Sequence, residues 1–394
     1  MLPLFYVISH YSNLPFRAWE QRKFIEIINR LSKTSNSSIL PKVEYEDIIA
    51  EEGRLNKDIS NKFDSRKGIL FQPKNILYGK LRPYLKNWLY PDFKGVAVGD
   101  FWVFEAIEAT PRFIYNLIQS DSYQKVANDT AGTKMPRSDW TKVSNSSFFI
   151  PKESSEQKRI GTFFKQLDDT IALHQRKLDT LKQMKKGLLQ QMFPKSEEDV
   201  PKIRFADFDE EWYQRKLGEE FEKINERNDG SFGKTHWISV AKMYFVEPNK
   251  VLSNNIDTRT YVMRKGDIAF EGHSNTDFKF GRFVANDIGP GIVSELFPVY
   301  RHKTNYDNNY WKNAIQLEHI MAPIYSKSIT SSGNSSNKLD SKHFLNQKIY
   351  IADFEEQEKI GSIFKQLDYT IILYQNKLNK FDILKKAYLQ TMFI

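Results

Sequence analysis

The chain has 394 residues, enough for two domains of ordinary size that each bury a core. It contains no cysteine, which excludes disulfide bonds and thiolate metal sites and is typical of a reducing compartment. The formal net charge of +9 and the 14% aromatic content suit contact with nucleic acid, but they also suit simple solubility. Apolar runs such as residues 2–8 are far shorter than the roughly 20 residues of a membrane-spanning helix and lack the features of a secretory signal, so we expect a cytoplasmic protein.

Two short matching segments open two halves of the chain, and we call them the heads. The first head, Trp19–Lys23, reads WEQRK, and the second, residues 212–216, reads WYQRK. After each head the sequence predicts a helical segment, over residues 24–30 and 217–227.

The region after each head, which we call the body, contains strand-length apolar runs separated by turn residues. Strands are predicted over residues 68–73, 75–78, 96–98 and 101–104 of the first body and over 265–270 and 291–293 of the second. The two bodies hardly resemble each other in sequence. We therefore expect an α+β architecture in which the bodies carry different specificities.

Each half ends in the same long segment. Residues 156–193 and 356–393 are identical at 21 of 38 aligned positions. The bodies before these segments extend to Lys152 and Ala352. A repeat of this length indicates a whole module that was duplicated, and it predicts pseudo-two-fold symmetry within one chain. Between the modules, residues 194–202 are polar with a proline near each end, as is typical of a short linker.

Apolar residues in both repeated segments follow alternating steps of three and four, which predicts a heptad seam. The predicted seam consists of Ile160, Phe164, Leu167, Ile171, Leu178, Leu181, Ile360, Phe364, Leu367, Ile371, Leu378 and Phe381. Ser154 and Asp353 are predicted to cap the two helices. Because the linker is short, we expect the second helix to run back antiparallel to the first, as an intramolecular coiled coil roughly 50 Å long. Seam partners should then have residue numbers that sum to about 552, with Leu178 near Tyr374 and Leu167 near Lys385.

Motifs for catalysis are missing from the sequence. It has no glycine-rich phosphate loop ending in Gly-Lys-Ser/Thr, no convincing methyl-donor loop, no nucleophile elbow and no metal-ligand cluster. We therefore expect a chain without catalytic residues, metal or cofactor of its own.

Two segments in each body combine basic, aromatic and amide side chains, which suit contact with phosphates and base edges. In the first body they are residues 78–88 and 131–138, and in the second body residues 272–282 and 331–338. Turns or core packing would account for many of these residues equally well. The candidate DNA-binding residues are Lys80, Arg82, Tyr84, Lys86, Lys134, Arg137, His273, Ser274, Asn275, Lys279, Arg282, Asn334, Asn337 and Lys338.

The layout resembles the specificity subunit of type I restriction-modification enzymes. The resemblance is carried by the two heads, by residues 77–85 (LYGKLRPYL), by residues 99–102 (GDFW) and by the Glu-Gln pairs that open both repeated segments. Residues 1–12 depart from the pattern because they have no counterpart before the second head.

The resemblance implies two α/β target-recognition domains separated by two long helices that form an antiparallel coiled coil. The domains would be residues 1–152 and 204–352, the spacer helices 153–194 and 353–394, and the linker 195–203. It also implies a non-catalytic subunit that reads a bipartite, asymmetric site on double-stranded DNA, one half-site per domain. Two methylation subunits would dock on the helices and bring S-adenosylmethionine, and restriction subunits would bring ATP and magnesium. The assembled complex would be an adenine-specific DNA methyltransferase and an ATP-dependent endonuclease.

Two other hypotheses remain open from the sequence. The first is a protein-only scaffold or adaptor whose coiled coil binds partner subunits without reading DNA. The second is a self-sufficient restriction enzyme, which the missing motifs disfavour. Charge reversal at Lys80, Arg82 and Lys86 separates the reader from the scaffold, because only a reader would lose a half-site.

Overall fold

The computed structural model describes residues 19–130, 134–195, 200–252, 256, 259–332 and 336–393. The chain divides into two compact units: unit 1 consists of Met1–Gln175 and Asn376–Ile394, and unit 2 consists of Arg176–Gln375. Residues 1–12, Asn334, part of the predicted linker and residues 131–133 lie outside the described residues. The predicted mixture of helices and strands is confirmed.

Unit 1 contains short strands, short helices and part of each long helix. Its strands are β1 (Trp19–Lys23), β2 (Ile28–Leu31), β3 (Thr34–Ser35), β4 (Lys42–Val43), β5 (Ile48–Ile49), β6 (Arg54–Leu55), β7 (Gly68–Phe71), β8 (Ile76–Gly79), β9 (Trp88–Leu89), β10 (Gly95–Ala97), β11 (Phe101–Ala106) and β12 (Ser147–Pro151). Its short helices are α1 (Phe24–Ile27), α2 (Pro111–Leu117), α3 (Asp121–Ala127) and α4 (Trp140–Asn145), and 3₁₀ turns span Tyr45–Asp47 and Pro83–Leu85.

The central sheet of unit 1 has the strand order β2-β11-β8-β9, and all its pairs are antiparallel. Strand β8 is buried along its whole length, which explains its nearly continuous apolar sequence. A second sheet, β3-β7-β10-β4, belongs to the same unit. The aromatic core between the central sheet and the helices includes Phe24, Tyr78, Phe104 and Phe113.

The long helices are α5 (Ser154–Gln191) and α10 (Phe354–Met392). The other elements of unit 2 are the strands β13 (Tyr213–Lys216), β14 (Phe221–Ile224), β15 (Ile238–Ser239), β16 (Tyr244–Phe245), β17 (Thr260–Met263), β18 (Ile268–Glu271), β19 (Arg282–Ala285), β20 (Gly291–Ser294), β21 (Val299–His302), β22 (Ile329–Ser332), β23 (Asn337–Leu339) and β24 (Lys348–Ile351). Its short helices are α6 (Leu217–Glu220), α7 (Asn308–Ala314), α8 (Glu318–Ser328) and α9 (Ser341–Asn346), with 3₁₀ turns at Lys234–His236 and Pro248–Lys250.

The central sheet of unit 2 has the order β14-β21-β18-β19, again with antiparallel pairs. Counted along the chain, both central sheets place their first, fourth, second and third strands side by side. In both units the strand before the long helix also pairs with the head, as β12 does with β1 and β24 with β13. Two bodies with different sequences therefore have the same strand order.

The strands predicted from apolar runs are confirmed as β7, β8, β10, β11, β18 and β20. The helices predicted after the heads are wrong beyond their first turn. Helix α1 ends at Ile27 and the chain continues as β2, because Ile28 is buried and the backbone pairs with β11. The same change occurs from α6 to β14.

Helices α5 and α10 are divided between the units. Residues 154–175 of α5 and 376–392 of α10 belong to unit 1, and the remaining parts belong to unit 2. Asp353 caps α10 as predicted, because its carboxylate accepts a hydrogen bond from the Glu356 amide at 2.8 Å. Ser154 was predicted to cap α5 but is already its first residue.

Within each unit, the N-terminal half of one long helix contacts the C-terminal half of the other. In unit 1, Asp168 lies 2.8 Å from Lys385. In unit 2, Lys185 lies 2.5 Å from Asp368. Of the predicted seam residues, those that are buried are Ile160, Phe164, Leu167, Leu178, Leu181, Ile360, Phe364, Leu367 and Leu378, and those that are half-buried are Ile171, Ile371 and Phe381.

Residues that are identical in the two halves join each head to the first turn of its long helix. The indole of Trp19 donates a hydrogen bond to Glu156 at 3.2 Å, and the indole of Trp212 donates one to Glu356 at 3.0 Å. In unit 2, Arg204 also binds both oxygens of Glu356, each at 2.8 Å. The repeated Trp and Glu residues therefore fix the body on the helix.

The repeated glutamine after each Glu has the same role in both units. The side-chain amide of Gln157 donates to the Pro151 carbonyl at 2.9 Å, and that of Gln357 donates to the Ala352 carbonyl at 2.9 Å. Gln157 also accepts a hydrogen bond from the Thr110 amide at 2.8 Å. Each glutamine thus ties its helix to the backbone at the end of the preceding strand, at Pro151 of β12 and at Ala352 directly after β24.

Candidate nucleic-acid interface

The structure brings together the two candidate segments of unit 1. Leu81 and Arg137 form an antiparallel bridge, and the Arg82 amide donates to the Pro136 carbonyl at 2.7 Å. The loop between β8 and β9 therefore lies beside the loop before α4. Because β8 and β9 are antiparallel neighbours, the loop that joins them turns at one end of the sheet.

The cations on this surface fall into two groups. Lys80 and Arg137 both pair with Asp100, at 3.7 and 3.1 Å. Arg82 and Lys134 are exposed, and within the described residues neither forms an ion pair. Arg82 and Lys134 can therefore approach phosphates without first breaking an ion pair.

Lys86 is held by an acidic neighbour. Its ammonium lies 3.0 Å from Glu51, which also lies 3.0 Å from Lys386 of α10. The Lys86 ammonium, followed by that of Lys386, holds the pKa of the Glu51 carboxyl below its usual range. Lys86 thus ties the loop between β8 and β9 to Glu51, and it is less available to DNA than Arg82.

The candidate Tyr84 and the nearby Trp88 differ in environment. The Tyr84 side chain is 56% exposed, whereas Trp88 is 3% exposed and packs in the core as part of β9. Tyr84 can therefore reach a ligand on the surface, and Trp88 stabilises the sheet.

The loop backbone is held in a conformation that L-residues rarely adopt. Arg82 and Lys86 both lie in the left-handed region, with φ of 50° and 55°. Hydrogen bonds close the turn, from the Leu85 amide to the Arg82 carbonyl at 2.8 Å and from the Lys86 amide to the Pro83 carbonyl at 2.9 Å. Such strain is found at sites where a surface must present fixed side chains.

The structure also brings together the two candidate segments of unit 2. The Asn337 amide donates to the Gly272 carbonyl at 2.9 Å, so the β22–β23 hairpin lies against the loop between β18 and β19. A Cβ at Gly272 would lie 2.2 Å from the Asn337 carbonyl oxygen. Glycine is therefore required at this position for the close approach of the two loops.

His273 is oriented by a buried carboxylate. Glu271, the last residue of β18, is 5% exposed and accepts hydrogen bonds from the His273 amide, at 3.0 Å, and from its imidazole Nδ1. The ring is largely exposed and its Nε2 is directed away from this contact. An imidazole held in this way can present Nε2 to a base edge.

The other candidates of unit 2 are divided between structural and exposed positions. Asn275 accepts hydrogen bonds from the Asp277 and Phe278 amides at 2.9 and 3.0 Å, so its oxygen stabilises a turn. Arg282 stacks on Phe278 at 4.8 Å and donates to the Ala241 carbonyl at 2.5 Å. The remaining candidates are Ser274, Lys279 and Lys338, which are exposed, Asn337, which is half-buried, and Asn334, which lies outside the described residues.

Sequence reasoning missed the acidic partners on these surfaces. Asp100 lies within the segment GDFW that carries the resemblance, which is a signal that could have found it. Glu51 is far from Lys86 in sequence, and only the fold brings the two together. Glu271 lies two residues before His273, but no sequence pattern marks it as the partner of the imidazole.

Comparison with known proteins shows what this chain is similar to. Residues 18–183 match the family model described as the type I restriction modification DNA specificity domain. This match confirms the resemblance to the specificity subunits of type I restriction-modification enzymes. No curated protein matches the chain in sequence.

Solved structures show the same fold. The S subunit of a type I restriction-modification system from M. genitalium has a TM-score of 0.59 and 14% identity, over 97% of this chain and 98% of that one. A chain from a structure on complex assembly and conformational transition of the type I R-M system has a TM-score of 0.54 and 17% identity, over 96% of this chain and 97% of that one. Within the described residues, none of the helices combines the length and apolarity needed to cross a membrane.

Proposed function

We propose that this chain is the non-catalytic DNA specificity subunit of a type I restriction-modification complex and that each unit reads one half of a bipartite, asymmetric site. One observation carries the proposal: both central sheets have the same strand order, and the candidate loops follow the same strands, β8 and β18, yet differ in sequence. Equivalent loops with different side chains suit recognition of different bases.

The charge on these loops supports binding to DNA. Arg82 and Lys134 in unit 1 and Lys279 in unit 2 are exposed cations on loops, Lys338 is an exposed cation in β23, and the whole chain carries a net charge of +9. Cations of this kind neutralise phosphates and position a protein on the duplex, and neighbouring Arg, His and amide groups can then read base edges.

The long helices would set the distance between the half-sites. We propose that α5 and α10 pair as an antiparallel coiled coil, which is supported inside each unit by the Asp168–Lys385 and Lys185–Asp368 contacts. Residue numbers in both contacts sum to 553, close to the value of about 552 expected from the heptads. A pair of such helices has little freedom to change length, so the gap between half-sites would be constant.

The outer faces of these helices would bind the partner subunits. Large apolar residues on α10 are exposed, among them Tyr369 at 68% and Ile372 at 58%. Exposed apolar groups on a helix are typical of protein interfaces. Two methylation subunits with S-adenosylmethionine would dock there, and restriction subunits would add ATP and magnesium. The complex would methylate adenine and cleave DNA in an ATP-dependent reaction.

Selection from a randomised duplex library tests the proposal. The full chain, assembled with methylation subunits, should enrich a split motif with two defined parts and a gap of constant length. Enrichment of a single contiguous motif would contradict the assignment of one half-site to each unit. Absence of any enriched sequence, with partner binding intact, would favour a protein-only scaffold.

A further inference from the structure

Asp100 lies at the centre of the unit 1 surface and contacts two of its cations. One carboxylate oxygen accepts a hydrogen bond from Arg137 Nη2 at 3.1 Å, and the other lies 3.5 Å from Arg137 Nε and 3.7 Å from the Lys80 ammonium. The Asp100 side chain is 30% exposed and that of Arg137 is 53% exposed. The Asp100 side chain is therefore half-buried, while much of the Arg137 side chain is exposed to solvent.

The segment that carries Asp100 is tied to the loop between β8 and β9, and Leu81 of that loop forms a bridge with Arg137. The Tyr45 hydroxyl donates to the Asp100 carbonyl at 2.6 Å and accepts a hydrogen bond from the Leu81 amide at 3.1 Å. The Lys80 amide also donates to the Asp100 carbonyl, at 2.9 Å. Burial raises the pKa of the Tyr45 hydroxyl, so it stays protonated and keeps both hydrogen bonds. Asp100 thus has a fixed position relative to Arg137.

The contact with Asp100 uses only one edge of the guanidinium. Nε and one hydrogen of Nη2 face the carboxylate, and no other described residue forms a hydrogen bond or ion pair with the opposite edge, which consists of Nη1 and the second hydrogen of Nη2. That free edge carries two parallel donors. It matches the O6 and N7 acceptors that guanine presents in the major groove.

We propose that Asp100 is a positioning residue that aims Arg137 at a guanine in the half-site read by unit 1. The proposal rests on the proposed function and adds the base, the reading side chain and the group that orients it. A carboxylate beside the arginine reduces the freedom of a long side chain, so less entropy is lost when the guanine contact forms. It also discourages a simple phosphate contact, because its negative charge repels phosphate.

The experiment is selection from a randomised duplex library with the full chain and its methylation subunits. The variants are Asp100→Asn, Arg137→Ala and Arg137→Lys, and unit 2 serves as an internal control. Wild-type protein should require guanine at one position of one half-site. Both Arg137 variants should lower this preference roughly 5- to 150-fold, because Lys keeps the charge but lacks the two parallel donors. Preferences in the other half-site should not change.

Asp100→Asn separates positioning from a structural role. It should reduce the guanine preference at the same position by about tenfold, while overall affinity for DNA stays equal or rises because a negative charge is lost. A uniform loss of affinity with a smaller salt dependence in Arg137→Ala would mean a phosphate contact and would overturn the proposal. An unchanged guanine preference in Asp100→Asn would overturn it as well. If wild-type protein selects no sequence at all, the proposed function itself fails.

Discussion

Glu356 is fully buried and accepts three hydrogen bonds, two from Arg204 and one from Trp212. We expect Arg204→Met to destabilise unit 2 by about 3 kcal/mol, because it leaves a buried carboxylate without its counter-charge. Urea unfolding followed by tryptophan fluorescence measures the change. The exposed pair of Lys142 and Asp129 provides the control, since Lys142→Met should cost less than about 1 kcal/mol. Equal effects of the two substitutions would contradict this account of Glu356.

His302 makes the stability of unit 2 depend on pH. Its ring stacks on Tyr306 with centroids 3.8 Å apart, and burial lowers the pKa of His302 to about 3. Unfolded histidine has a pKa of about 6.5, so between these values the unfolded chain binds more protons than the folded one. The stability that neutral His302 contributes to unit 2 is therefore fully present above about pH 6.5, and this contribution is lost as the pH falls toward about 3.

Replacement of His302 tests this pH dependence. Within the described residues, both ring nitrogens lack a hydrogen-bond partner, so the phenyl ring of His302→Phe suits the site. Wild-type stability should fall by about 1.4 kcal/mol per pH unit inside the window, and His302→Phe should remove this slope. Denaturant unfolding at several pH values provides the measurement. A slope that persists in the variant would show that other groups cause it.

At the scale of single residues, sequence alone could identify chemistry but not environment. Tyr84 and Trp88 occur in the same basic and aromatic segment, yet one is exposed and the other is buried in β9. Trp88 belongs to β9, which pairs with β8, whereas Tyr84 belongs to the turn between these strands. The difference therefore depends on strand pairing. The GDFW segment marks Asp100 in the sequence, but only the fold shows that its partners are Arg137 and Lys80.

At the scale of elements, glycine residues determine how closely the long helices meet the bodies. A Cβ at Gly361 would lie 1.9 Å from the carboxylate of Asp307, which caps α7. We expect Gly361→Ala to destabilise unit 2 by about 1–3 kcal/mol, because the cap must move. Gly187→Ala is the matched control on α5, where the nearest atom would be 3.9 Å away. It should stabilise the helix by roughly 0.5–1 kcal/mol, as measured by thermal unfolding.

The direction of the two long helices can be tested by cross-linking. The chain has no cysteine, so introduced pairs report without interference. Leu167→Cys with Lys385→Cys, and separately Leu178→Cys with Tyr374→Cys, should form disulfides on mild oxidation. The control pair is Leu167→Cys with Leu367→Cys, which a parallel register would favour. Electrophoresis without reductant gives the yields, and efficient cross-linking of the control pair alone would disprove the antiparallel arrangement.

Elements with a strong local pattern were predictable from sequence, and those decided by pairing were not. Both long helices follow from their heptads, and β8 follows from its apolar run. Residues 28–31 have no signal that distinguishes a strand from a continued helix. They form β2 because β11 supplies the hydrogen bonds and the core accepts Ile28.

At the scale of the whole molecule, substitutions in the candidate loops of unit 1 should not affect recognition by unit 2. Arg82→Glu with Lys134→Glu should abolish the requirement for one half-site and retain that for the other. Methylation mapping on a genome modified by the complex measures both requirements together. The control double variant is Lys67→Glu with Lys94→Glu, which makes the same charge change at exposed positions of unit 1. Loss of both half-sites in the Arg82 variant, or an equal effect in the control, would contradict independent reading.

The same contacts between body and helix occur inside each unit, and they have a consequence for the exchange of bodies. They all lie where a body meets its helix, through the Trp–Glu hydrogen bond, the glutamine after it and the close approach at Gly161 and Gly361. The loops that carry Arg137 and His273 take no part in them. A body with a different sequence therefore fits on the same helix as long as these border contacts are kept. Under the proposed function, exchange of one body changes one half-site of the target and requires no compensating change in the helices.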